Sequence, residues 1–196
     1  MNYKKVLLFG STGGIGSHLK ELLVNKNYKI FCPTRKELDF NSQNCSILLE
    51  DIITQQLPDV IINASGILGN NDTNYESIFN INFKSNWDIV NYYKKYGSAK
   101  PVKIIMIGSS AYKSGRKNYI LYASSKSALF SMFQGASELF ESSNVMLGLI
   151  NPSKVDTKMI SSFNLNSSEL KNPRDVANSI VYFFENMTKS DHIDIK

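Results

Sequence analysis

LLFGSTGGIGSHL, residues 7–19, is the stretch on which the fold turns. Three apolar residues (Leu7, Leu8, Phe9) give way at Gly10 to a glycine-rich turn. From Ile15 the spacing becomes helical, with Leu19, Leu22 and Leu23 facing inward. Glycines let the backbone turn tightly and let a pyrophosphate approach main-chain N–H groups at the positive end of a helix. Strand, glycine turn and helix in this order mark a dinucleotide-binding unit, whose phosphates would meet Gly10, Ser11, Thr12, Gly13, Gly14, Ile15 and Gly16. Gly10, Gly14 and Gly16 follow a G-x-x-x-G-x-G spacing, and Gly10, Gly13 and Gly16 a G-x-x-G-x-x-G spacing. The loop by itself does not choose between them.

Outward from this unit, apolar runs alternate with helical patterns. YKIFC (28–32), a very short ELDF (37–40), DVIINASG (59–66), PVKIIMIGSS (101–110) and NVMLGLINPS (144–153) read as strands. Helices are expected at 41–57, capped by Asn41 or Ser42, and at 74–97, 119–143 and 172–187, the last with Pro173 near its start. HIDIK (192–196) is expected to close the sheet edge. This alternation predicts an α/β Rossmann-type fold, a doubly wound parallel sheet of about seven strands with helices on both faces. Ligands of such sheets gather at the carboxyl ends of the strands. No linker or repeat interrupts the order, so residues 1–196 are expected to form a single domain.

The composition agrees. The chain has 196 residues, 42% apolar and 20% charged, enough for one well-buried core. Its net charge of +5 comes from scattered lysines and arginines, which argues against nucleic acid as a partner. The apolar start, MNYKKVLLFG, is too short for a signal peptide or membrane span, so no membrane is expected. Cys32 and Cys45 have neither disulfide nor metal-site spacing; a reducing cytoplasm and no metal are the expectation.

After the second strand comes PTRKELD, where an acid would grip ribose hydroxyls and a cation would meet a 2′-phosphate. Arg35 precedes any acid there, which favours NADP(H), with NAD(H) as the alternative cofactor. In YASSK (122–126), Tyr122 and Lys126 lie four apart on one helix face. A nearby ammonium would bring the phenol down from about 10 toward a useful range. Ser109 and Ser110, at the end of a strand, supply a hydroxyl to hold a carbonyl oxygen. Tyr119, without a lysine four residues on, reads as packing.

These segments together resemble the short-chain dehydrogenase/reductase family over nearly the whole chain. GSTGGIG is similar to its cofactor loop. LDF resembles its third-strand motif, which implies Asp39 and Phe40 at the adenine. NASG resembles its N-N-A-G segment, which implies Asn63, Ala64, Ser65 and Gly66 along the cofactor. Asn82 matches the helix asparagine whose backbone holds a water of the proton relay. GSS and YASSK match the catalytic segments, which implies Ser110, with Ser109 one residue away, and Tyr122 and Lys126. NPSKVDTKM resembles the nicotinamide-holding segment, which implies Pro152, Val155 and Thr157 at the cofactor, although Ser153 stands where glycine is usual. The passage from Thr34 to Gly66 also resembles reductases of keto-deoxy sugars, and MISSFNLNSSELK (159–171) leaves only a short substrate lid.

The resemblance implies an NADP(H)-dependent reductase or dehydrogenase acting on a small-molecule carbonyl or alcohol. A nucleotide-sugar reductase or epimerase, and a silent NADP(H)-binding sensor, are the competing expectations. Apolar residues at 75–96 and 119–143 suggest self-association as a homodimer or homotetramer.

Overall fold

A computed structural model of the chain describes residues 4–70, 72–161 and 167–196. Six parallel strands form one sheet in the order β2-β1-β3-β4-β5-β6: β1 (Lys5–Phe9), β2 (Lys29–Phe31), β3 (Val60–Asn63), β4 (Val102–Ile107), β5 (Val145–Pro152) and β6 (Asp191–Ile195). The helices are α1 (Gly14–Asn25), α2 (Cys45–Gln56), α3 (Tyr75–Phe79), α4 (Ser85–Tyr96), α5 (Ile120–Leu139) and α6 (Pro173–Asn186).

Both faces of the sheet are covered, which is why its strands read as unbroken apolar runs. Alternate side chains serve the two faces. Leu7, Phe9, Ile61, Ile104, Met106, Leu147 and Leu149 pack with Leu49 and Ile53 of α2, Ile89 and Val90 of α4, and Leu129 and Phe133 of α5. Val6, Leu8, Val60, Ile62, Ile105 and Ile150 pack with Leu19 and Leu23 of α1 and Val176, Ile180 and Phe184 of α6.

The seventh strand expected at ELDF is absent. Its backbone is tied into turns, with Glu37 and Leu38 N–H both on the Thr34 carbonyl and Ser42 N–H on that of Asp39. Leu38 and Phe40 drop into the core instead, Phe40 meeting Phe9 edge-on at 5.5 Å. The following helix starts later than expected, at Cys45, with Asn44 as its N-cap. The long helix expected from residue 74 to 97 is interrupted by a π-helical turn at Asn80–Lys84. Pro173 opens α6 as expected, behind Asn172, whose side chain accepts the Arg174 N–H. Residues 162–166, in the expected lid, lie outside the described residues.

Leaving β2, the chain crosses over β1 to reach β3, so the direction of winding reverses between β1 and β3. A crevice at the carboxyl ends of the strands on either side of such a reversal is where open parallel sheets hold ligands.

Candidate active site

The glycine turn sits at that crevice. Gly10 has φ +73°, and a Cβ there would come within 2.6 Å of the Ala64 carbonyl carbon and the Ser65 nitrogen. Only glycine lets the end of β1 pass this close to the end of β3. Helix α1 then begins at Gly14 behind Gly13 as N-cap, with no side-chain cap and no acidic residue in its first turn. Thr12, Gly13 and Gly14 are exposed. Uncapped N–H groups at the positive end of a three-turn helix suit a pyrophosphate. Burial pushes the Cys32 thiol up and the neighbouring Ser11 hydroxyl offsets part of this, so the turn lies against the end of β2. Opposite, a Cβ on Gly14 would collide with the Thr157 side chain, so the segment after β5 lies against the glycine turn. Pro152 and Val155 are buried behind Thr157.

The serine, tyrosine and lysine meet at the end of β4. It is the Ser109 hydroxyl that stands close enough to the Tyr122 phenol to lower it, whereas Ser110 was the expected partner. Ser109 is the N-cap of a 3-10 helix (Ser110–Lys113), and its hydroxyl also accepts the Ala111 N–H at 3.2 Å. Capping geometry therefore turns Ser109 toward α5, and Ser110 has already entered the helix. Lys126 departs from expectation as well. It is 4% exposed, and its ammonium donates to the Ile107 carbonyl at 2.8 Å. It stands 5.7 Å from the centre of the Tyr122 ring. Burial pulls Lys126 down to about 8. Tyr122 is pushed up by its own burial, which the neighbouring Ser109 hydroxyl partly offsets. The ammonium keeps its charge and two further N–H donors beside the Ile107 carbonyl bond, and it lies over the Tyr122 ring.

Asn82 and Asn63 hold the floor of the site. The Asn82 amide accepts from Ile67 N–H and donates to Ile67 O, both at 2.9 Å, and also donates to Ser125 Oγ at 3.1 Å. Ser125 in turn donates to the Tyr122 carbonyl at 2.8 Å. The π-helical turn thus joins the chain after β3 to the tyrosine's own turn of α5. The Asn82 carbonyl, the expected water anchor, accepts the Asn86 side-chain amide at 3.1 Å. Asn63 donates to Ser85 Oγ at 2.9 Å and Asn86 Oδ1 at 3.0 Å, and accepts the Ser65 N–H at 3.1 Å. Gly66 lies between the groups: a Cβ there would be 3.5 Å from Asn82 Oδ1 and 3.9 Å from Lys126 Nζ. Sequence reading passed over Ser125 and Asn86, whose only signal is their distance of one and four residues from Lys126 and Asn82.

Arg35 and Asp39, expected to hold different parts of a cofactor, are paired with each other at 3.1 Å. Arg35 is largely exposed, and Asp39 also accepts the Asn41 N–H at 2.9 Å. The Glu37 carboxylate takes the Thr34 N–H at 2.7 Å, a reciprocal turn cap.

A family model described as short chain dehydrogenase matches residues 38–168, and the chain belongs to that family. A short chain dehydrogenase from Burkholderia cenocepacia, solved in complex with NADP, superposes with a TM-score of 0.85 at 15% identity, over 99% of this chain and 88% of that one. A 4-hydroxyisoleucine dehydrogenase complexed with NADH gives 0.84 at 16% identity, over 98% and 97%. At these identities the likeness establishes the shared fold. GDP-L-fucose synthase of Azorhizobium caulinodans is 33% identical over 66 residues, which are 34% of this chain. The chain spans 20% of the length of that curated relative.

Proposed function

We propose that the protein is an NADP(H)-dependent oxidoreductase that interconverts a small carbonyl compound and its secondary alcohol. The observation that carries this reading is Lys126 buried beside Tyr122, 5.7 Å from its ring centre and anchored on the Ile107 carbonyl at the strand ends facing the glycine turn, with the Ser109 hydroxyl next to the phenol. When bound, the nicotinamide supplies or accepts the hydride. Ser109, fixed by the Ala111 N–H, and Tyr122 hold the substrate oxygen. A phenol pushed up by burial stays protonated at neutral pH, so Tyr122 can deliver its proton as negative charge grows on that oxygen. Lys126, at about 8, sits in the range where it can restore that proton and hold ribose hydroxyls. Asn82 keeps the chain after β3 in place, and its carbonyl is the proposed anchor of a relay water.

The residues proposed at the cofactor are those of the glycine turn, Asn63 to Gly66, Pro152, Val155, Thr157, Arg35, Asp39 and Phe40. Arg35 supports NADP(H) over NAD(H), provided it leaves or shares Asp39 to meet a 2′-phosphate. The two free thiols support a cytoplasmic setting, and exposed Trp87, Ile47 and Leu48 support a homodimer or homotetramer. Tyr122→Phe should keep NADPH binding, followed by fluorescence titration, and lose turnover by about a hundredfold or more. Near-wild-type turnover on a verified substrate would refute the mechanism.

The local identity with GDP-L-fucose synthase favours a second reading, chemistry on a nucleotide sugar. Net NADPH consumption with a keto-sugar nucleotide, against none with simple ketones, would select it.

A further inference from the structure

The C-terminal strand carries a polar cluster that the proposed chemistry does not use. Asp194 stands on the edge strand β6, yet its side chain is only 23% exposed. One oxygen pairs with Lys113 at 2.5 Å and faces the Tyr112 hydroxyl at 3.5 Å. The other is buried without a hydrogen-bond partner. Beside it in register lies Asn151 of β5, 1% exposed. The Asn151 amide helps to hold the carboxylate ionised, although neither amide atom makes an aligned hydrogen bond. Burial opposes that ionisation, and the Lys113 ammonium and the Asn151 amide outweigh it.

Both contacts lead to Ser109. A Cβ on Gly108 would collide with Asn151 Oδ1, so the backbone entering Ser109 rests on this asparagine. At the far end, Tyr112 and Lys113 close the short helix that Ser109 caps. Tyr112 is clamped there: its ring stacks on Phe130 at 4.2 Å, and its carbonyl accepts the Ser127 hydroxyl at 2.9 Å. Residues 108–113 are thus gripped at both ends by groups that converge on one carboxylate. A half-buried ion pair adds little stability, but it does select one arrangement of its neighbours.

We propose that Asp194 is a positioning residue that sets, from the last strand, the place of the Ser109 hydroxyl against Tyr122. The inference rests on Ser109 and Tyr122 being the working pair of the site. The test uses full-length ligand-free protein labelled with [13C-ζ]tyrosine, with the Tyr122 resonance assigned through Tyr122→Phe. Ser109→Ala should move the Tyr122 resonance at pH 7. Asp194→Asn should move it in the same direction, Lys113→Met should do likewise, and the remote Glu21→Gln should leave it in place. Asp194→Asn should also lower kcat about tenfold with the NADPH Kd unchanged. A Tyr122 resonance that stays put in Asp194→Asn overturns the proposal, as does a parallel fall in kcat, NADPH affinity and melting temperature. Should Asp194→Asn not fold, Lys113→Met alone decides in the same way. If no carbonyl is turned over, the functional reading fails while the resonance still decides the positioning.

Discussion

Burial brings Lys126 down to about 8, and its ammonium donates to the Ile107 carbonyl beside the Tyr122 ring. A lysine whose folded-state value lies below the unfolded one, about 10.4, costs stability wherever it is charged in the fold. The unfolded chain binds more protons between the two values. The penalty is therefore complete below pH 8 and fades as pH rises toward 10.4. Lys126→Met should be favoured relative to wild type at pH 7, and urea denaturation at pH 10 should shift the comparison toward wild type by about 2 kcal/mol. A comparison that does not change between the two pH values would show that the ammonium is not strained by burial.

At the level of elements, the site is where two ordinary pieces of secondary structure are spoiled. The helix after residue 74 contains a π turn, which directs Asn82 at the chain leaving β3. Such turns are rare elsewhere in helices and gather at functional sites. Asn63 then ties the end of β3 to the first turn of α4 through Ser85 and Asn86, all three buried. Asn63→Ala would strand those partners without water, and a loss of about 3 kcal/mol is expected in denaturant titration. A loss under about 1 kcal/mol would mean that the neighbours repack around the gap. Periodicity in the sequence showed a helix here but not the π turn. One extra residue in a turn leaves the apolar spacing nearly unchanged, and what stabilises it is a contact 15 residues back, at Ile67.

Taken whole, the molecule places an uncapped helix end, a crossing point of the winding and a serine–tyrosine–lysine group along one rim of the sheet. Filling that rim with cofactor should stabilise the fold. At a hundredfold excess over Kd the gain is about 2.7 kcal/mol, which for a chain of this size is a rise in melting temperature of about 5–10 °C. NADPH should give the larger shift at equal concentration, since Arg35 has a phosphate to meet. An equal or larger shift with NADH would show that the Arg35–Asp39 pair stays closed.

The strand–glycine–helix opening, the alternation of elements and the family could be read from the chain because each depends on local spacing: apolar periods, turn residues and motif order. Six strands instead of seven, and a turn where ELDF was expected, depended on where Leu38 and Phe40 could be buried. Tertiary structure alone decided that the Ser109 hydroxyl stands beside Tyr122, that Lys126 turns to Ile107, that Arg35 is held by Asp39, and that Asp194 of the last strand pairs with Lys113. Most of these contacts join residues far apart in the chain. Each is settled by which rotamers a packed interior leaves open, and local sequence carries no record of that choice.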